Sequence, residues 1–144
     1  MDIKIKRVDK SLPMPEYKTS GSIAFDMYSR EEMKIAPKSL ALLPSNFIIK
    51  TPESHGLILS ARSSLAKKKG LMLANGVGTI DRDYCGENDE ILLSVYNFTD
   101  EEVVVEKGER IAQGMFICID SGNFVEVEKM EEGNRGGFGS TGSF

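Results

Sequence analysis

The run Leu40-Ala41-Leu42-Leu43-Pro44-Ser45-Asn46-Phe47-Ile48-Ile49-Lys50-Thr51-Pro52-Glu53-Ser54-His55-Gly56-Leu57-Ile58-Leu59 places three short apolar segments between closely spaced turn formers. Each segment is too short for a stable helix, and Pro44, Ser45-Asn46 and Pro52 break the chain before a helical period can build up. Short β-rich runs with frequent turns predict strands. The same pattern continues on both sides. Ile3 and Ile5 alternate with Lys4 and Lys6, and Met33 and Ile35 lead into Pro37. Further on come Ile91–Asn97, Val103–Val105, Ile111–Ile119 and Val125–Val127, with Gly108 and Ser121-Gly122-Asn123 between them. The expected fold is all-β, a distorted antiparallel barrel. The one helix expected is Ser64-Leu65-Ala66-Lys67-Lys68-Lys69, with Ser as its N-cap, Lys in its last turn and Gly70 as its stop.

Length and charge exclude several functions. A chain of 144 residues is one domain's worth. With 18 Lys+Arg against 22 Asp+Glu its net charge is −4, the wrong sign for a protein that grips nucleic acid by its backbone. No apolar run is long enough to cross a bilayer, and the N-terminal residues show no signal-peptide core, so a cytoplasmic location is expected. The single histidine, His55, rules out mechanisms built on several His. Cys85 and Cys118 form no C-x-x-C pair and read as reduced thiols acting as small hydrophobes. Any catalysis must then rely on carboxylates, arginines and backbone donors, with or without a metal bound through oxygen.

Five segments hold the candidate residues, and each also has a plain structural reading. Arg62-Ser63-Ser64 ends a strand and opens the helix, which suits a phosphate or merely caps the helix. Asn75-Gly76 followed by Gly78-Thr79-Ile80-Asp81-Arg82-Asp83-Tyr84 suggests a β-hairpin whose rim carboxylate orients a water, or simply a solvated turn. Gln113 interrupts the apolar row Ile111, Met115, Ile117 and Ile119, and needs a partner in the protein or in a ligand. Asp26 alternates away from Phe25 and Met27, as a strand-end carboxylate or a group that helps hold a cation. In the last segment, Gly133–Phe144, five of twelve residues are Gly. There Arg135, Phe138, Gly139, Ser140 and Thr141 suit a nucleotide's phosphates and base, or form a tail that stays unordered.

Taken together, in order and spacing, these segments resemble the five motifs of the trimeric all-β dUTPases. They are Ala24-Phe25-Asp26-Met27-Tyr28-Ser29, Arg62-Ser63-Ser64-Leu65-Ala66, Gly78 to Glu87, Gly108-Glu109-Arg110-Ile111-Ala112-Gln113 and Arg135 to Gly142. The resemblance implies hydrolysis of dUTP to dUMP and pyrophosphate, with Mg²⁺, in a homotrimer whose sites are shared between chains. It implies a barrel domain over 1–132 and a tail over 133–144 that closes over a site. By the same resemblance Asp81 is the general base and Tyr84 packs under the deoxyribose. Asn75, Gly78, Thr79 and Ile80 line the uracil. Arg62, Ser63, Ser64 and Gln113 hold phosphates. Phe138 stacks on the base, while Arg135, Gly139, Ser140 and Thr141 reach the phosphates. Asp26 touches the metal only through water. The chain departs from the usual pattern at Ile23-Ala24, at Ser64, at Cys85 and in Asn88-Asp89-Glu90, which resembles an inserted surface turn. The rival on the same fold, dCTP deaminase, uses a Glu in the stretch that here reads Leu92-Leu93-Ser94-Val95-Tyr96-Asn97 and contains no acid. A trimer that binds nucleotide only as a signal would be expected to lack the base or the tail, and Asp81, Arg135 and Phe138 are all present.

Overall fold

The computed structural model describes residues 1–137. Its strands are β1 (Lys4–Arg7), β2 (Phe25–Tyr28), β3 (Met33–Ile35), β4 (Leu40–Pro44), β5 (Phe47–Lys50) and β6 (His55–Ala61). A five-residue helix, α1 (Leu65–Lys69), follows. Then come β7 (Leu71–Leu73), β8 (Gly78–Ile80), β9 (Leu92–Asn97), β10 (Val103–Val105) and β11 (Arg110–Cys118). All pairings are antiparallel. The strands form four small sheets, ordered β2-β11-β6-β8, β4-β9-β7, β1-β5 and β10-β3.

One core joins these sheets. Met27, Ile35, Leu43, Phe47, Ile49, Leu57, Leu71, Leu93, Val95 and Ile111 are all buried in it. Side chains that alternate along β9 show how the pattern works: Leu93, Val95 and Asn97 point inward, while Leu92, Ser94 and Tyr96 face outward. The buried Asn97 amide is fully used. Its Nδ2 donates to the carbonyls of Ile35, Ala36 and Glu101 at 3.0, 3.1 and 2.8 Å.

Two local features fix how the strands sit. Asn46, between β4 and β5, holds φ +73°, which a short polar side chain tolerates best after Gly. Its Oδ1 accepts from Asp9 N at 2.6 Å and its Nδ2 donates to Asp9 O at 3.0 Å, which locks β1 beside β5. On β11 the register slips between Arg110 and Ala112 in a β-bulge. The bulge lets consecutive Ile111 and Ala112 both be buried, and it reverses the facing of every later residue.

Several expectations are corrected. Because of the bulge, Ile111 does not share a face with Gln113: Gln113 pairs across to Asp26 and Ser60, while Ile111 lies in the core. Asn75-Gly76 does not close a hairpin. β7 pairs with β9 and β8 with β6, so the turn is a corner between two sheets, because each short strand finds a longer strand to bond. Ser64 sits at the N-cap of α1 without a side-chain capping bond. Val125–Val127 forms no strand in the single chain, since no strand edge pairs with it; these residues are exposed. Cys118 is exposed beside His55, its Sγ 3.5 Å from Nε2, rather than acting as a core hydrophobe, while Cys85 is half-buried.

Candidate active site

At one end of the β2-β11-β6 sheet, a carboxylate is shared between two guanidiniums. Asp26 Oδ1 is 2.8 Å from Arg62 Nε, and Oδ2 accepts from Arg110 Nη1 at 3.0 Å. The Asp26 side chain is only 14 % exposed. Cross-strand register explains the meeting. Gln113 lies opposite Asp26 and Arg110 opposite Tyr28, so the bulge puts Arg110 and Gln113 on one face although they are three residues apart. Gln113 Nε2 donates to Ser60 Oγ at 3.2 Å and to Ala61 O at 3.3 Å, which leaves its carbonyl oxygen outside those bonds. Two guanidiniums against one carboxylate leave a surplus positive charge beside Ser63 and Ser64, suited to phosphate oxygens. Arg110 and Ser60 were not picked out in the sequence. The sign that would have revealed Arg110 is the bulge, and a bulge shows only once partner strands are known.

A second group gathers around the corner after β7. Asn75, Gly78, Thr79 and Ile80 line a pocket of about 60 Å³ with Leu59, Leu73, Leu92, Leu93 and Ser94. Close packing of backbone on Leu59 is possible because Gly78 has no side chain: a Cβ there would stand 3.1 Å from the Leu59 Cβ. Asp81 follows β8 and faces an open cleft of about 710 Å³ with Lys50, Thr51, Glu53, Arg82, Asp83 and Cys85. Asp81 is exposed, and its carbonyl accepts from Tyr84 N at 3.1 Å. Tyr84 is 40 % exposed, and its hydroxyl donates to Glu90 O at 3.1 Å.

The two groups stand apart within one chain. Ile80 pairs with Leu57, near the start of β6, so Asp81 leaves the sheet there. Arg62 follows Ala61, at the far end of the same strand. At ~3.3 Å per residue the groups are on the order of 15–20 Å apart along β6. Arg135 is exposed on the segment after β11. Phe138, Gly139, Ser140 and Thr141 lie outside the described residues.

Among the described residues no three Asp, Glu, His or Cys side chains gather as a metal site, and both Asp26 oxygens are engaged by arginine. These donors do not form a protein cage. They suit a hard divalent cation that arrives on a ligand's own phosphate oxygens and keeps its water.

Two guanidiniums on one carboxylate, a small backbone-lined pocket and a carboxylate at an open cleft are those of an all-β protein suited to a phosphorylated ligand. Comparison with known proteins makes the class specific. The family model for dUTPase matches residues 10–142. The deoxyuridine 5′-triphosphate nucleotidohydrolase of Desulfitobacterium hafniense (strain DSM 10664 / DCB-2) is 42% identical over 149 residues, covering 97% of each chain. That of Helicobacter pylori (strain P12) is 38% identical over 144 residues, covering 99% of this chain and 97% of the relative. The crystal structure of dUTPase from Streptococcus mutans superposes with a TM-score of 0.76 at 30% identity, covering 83% of this chain and 98% of that one. At 23% identity, the fold alone is shared with a mutant dUTPase of Staphylococcus bacteriophage 80alpha bound to dUpNHpp, with a TM-score of 0.86 and 98% of each chain covered. The chain belongs to the dUTPase family, and its activity is the hydrolysis of dUTP as a dUTP diphosphatase.

Proposed function

We propose that dUTP is hydrolysed to dUMP and pyrophosphate in a site built from more than one copy of this chain, with Asp81 as the general base. The uracil edge fits the small pocket of Asn75, Gly78, Thr79 and Ile80, where backbone donors and acceptors read it. A base with the wrong pattern leaves those groups unpaired and is rejected. Tyr84 lies under the deoxyribose and fills the space a 2′-hydroxyl needs. Asp81 accepts a proton from a water as its oxygen attacks the α-phosphorus. The α–β bridging P–O bond breaks, and pyrophosphate leaves. Arg62, Ser63, Ser64 and Gln113 of another copy hold the triphosphate, with Arg135, Phe138, Gly139, Ser140 and Thr141 contributed by a tail. Mg²⁺, when bound, would neutralise charge on the phosphates, and Asp26 would help to hold it through a water. The enzyme works as a homotrimer in the cytoplasm, where it keeps uracil out of DNA and supplies dUMP.

The observation that carries the shared site is the separation of Asp81 from Arg62 along β6, too far for one triphosphate-bearing nucleotide to engage both closely in one chain. No carboxylate lies on β9, which counts against deamination, and the nearest acid, Glu90, is turned onto Arg30. The test is pyrophosphate release from dUTP, dCTP, dTTP and UTP with Mg²⁺, with ammonia release from dCTP measured alongside. The expected result is turnover of dUTP alone, and for Asp81→Asn a loss on the order of 10²–10⁴-fold in kcat with nucleotide binding retained. Full turnover by Asp81→Asn would remove Asp81 from the mechanism.

A further inference from the structure

The segment between Tyr84 and β9 is not a plain surface turn. Gly86 N donates to Asp89 Oδ2 at 2.7 Å, and Asp89 N donates to Gly86 O at 3.2 Å, so the loop closes on itself. Lys6 pairs with Glu87 from the side. At the end of the loop the Glu90 carboxylate is gripped three times. Arg30 Nε donates to Oε1 at 2.9 Å and Arg30 Nη2 to Oε2 at 3.0 Å, and Asn46 N donates to Oε1 at 2.7 Å. The Glu90 side chain is 14 % exposed and that of Arg30 23 %. Arg30 is itself tied to the β4–β5 corner, its N–H donating to Pro44 O at 2.7 Å. The backbone carbonyl of the anchored Glu90 receives the Tyr84 hydroxyl.

We propose that Glu90, clamped by Arg30, is a positioning residue that holds the Tyr84 ring at the height needed to exclude a 2′-hydroxyl. The proposal rests on the reading of Tyr84 as the platform under the deoxyribose. A half-exposed phenol held only at its Cα can swing aside, and steric rejection of a single oxygen requires placement to about 0.5 Å. Holding the far end of the ring removes that freedom. A two-bonded carboxylate–guanidinium pair is the stiffest polar anchor available to side chains, and here it fixes the acceptor itself. The three residues Asn88-Asp89-Glu90 therefore extend the catalytic loop down to the body of the fold.

The test compares kcat/KM for dUTP and UTP, with Mg²⁺, in the wild type and in Tyr84→Phe, Tyr84→Ala and Glu90→Gln, and records the melting temperature of each. Tyr84→Phe and Glu90→Gln are each expected to lower the dUTP/UTP ratio roughly tenfold, the scale of one misplaced small group in a pocket, and in Glu90→Gln the kcat for dUTP largely survives. A Glu90 that only stabilises the fold lowers the melting temperature and both kcat/KM values together, leaving the ratio unchanged. That result, with Tyr84→Ala still lowering the ratio, overturns the proposal and leaves the role of Tyr84 standing. If Tyr84→Ala also leaves the ratio unchanged, the role of Tyr84 falls and the proposal falls with it. Should Glu90→Gln not fold, Tyr84→Phe decides, because it removes only the hydroxyl that Glu90 receives.

Discussion

Asp26 shows how one residue can be legible in kind but not in contact. Its alternation away from Phe25 and Met27 is plain in the sequence, and the structure keeps it off the core. That both its oxygens bind guanidiniums depends on two other strands and a bulge. Glu90 is the stronger case. As part of an inserted Asn-Asp-Glu it resembles a solvated turn, but a buried N–H at Asn46 and a guanidinium at Arg30 draw its carboxylate inward. Tyr28, next along from Met27, is buried, with its hydroxyl on Pro13 O. Burial pushes its phenol up to about 12 from the ordinary 10.0, with Glu16 and Asp26 adding to the effect and Arg7 opposing it. Because the folded value is the raised one, the contribution of Tyr28 is whole below pH 10 and drains away as pH climbs to about 12. Unfolding free energy measured from pH 8 to 12 should show this decline. Tyr28→Phe should flatten that part of the profile and, at neutral pH, lose about 1 kcal/mol from the missing hydrogen bond.

Among the elements, β11 does the most. It is the longest strand, it bonds β2 and β6 at once, and its bulge turns Gln113 and Arg110 toward Asp26 while Ile111 and Ala112 fill the core. Gly114 makes the tight fit with β2 possible: a Cβ there would lie 2.7 Å from the Phe25 ring. Gly114→Ala should therefore destabilise the protein by about 1–3 kcal/mol through overpacking. Thermal unfolding measures the loss, and Phe25→Leu in the same chain should recover part of it. The strands themselves are readable from alternation and turn residues. Their partners are not, because period two says which side chains share a face and nothing about which edge a strand will bond. The Asn75-Gly76 corner follows from this. Its turn chemistry is as expected, with Gly76 at φ +69°, yet β7 and β8 go to different sheets.

In the whole molecule, a net charge of −4 must accommodate a substrate that is itself a tetra-anion. The surplus guanidinium at Asp26 would offset that repulsion at the phosphate site proposed above. Mixed assemblies test whether the site is shared. Asp81→Asn and Arg62→Ala chains should each be nearly inactive alone. Unfolded and refolded together, they should regain activity, because some sites then combine an intact Asp81 with an intact Arg62 from another copy. A site contained within one chain recovers nothing on mixing. Removing residues 134–144 should leave folding and assembly unchanged, as judged by thermal unfolding and sedimentation, and should lower kcat severely, since Arg135 and Phe138 go with that segment. Undiminished kcat in the truncated protein would exclude the tail from the site.

Composition and alternation were enough to predict an all-β fold, and motif order was enough to point to the class of reaction. These are properties of residue type and local spacing, set by steric and solvation preferences that act over a few positions. The pairing of β7 with β9, the reversal of facing at the β11 bulge, the two arginines on Asp26 and the anchoring of Tyr84 through Glu90 to Arg30 were decided only in three dimensions. Each depends on groups far apart in the chain competing for the same buried donors and acceptors. Such a competition is resolved by the packed whole, because a buried polar group takes whichever partner the surrounding strands bring within reach.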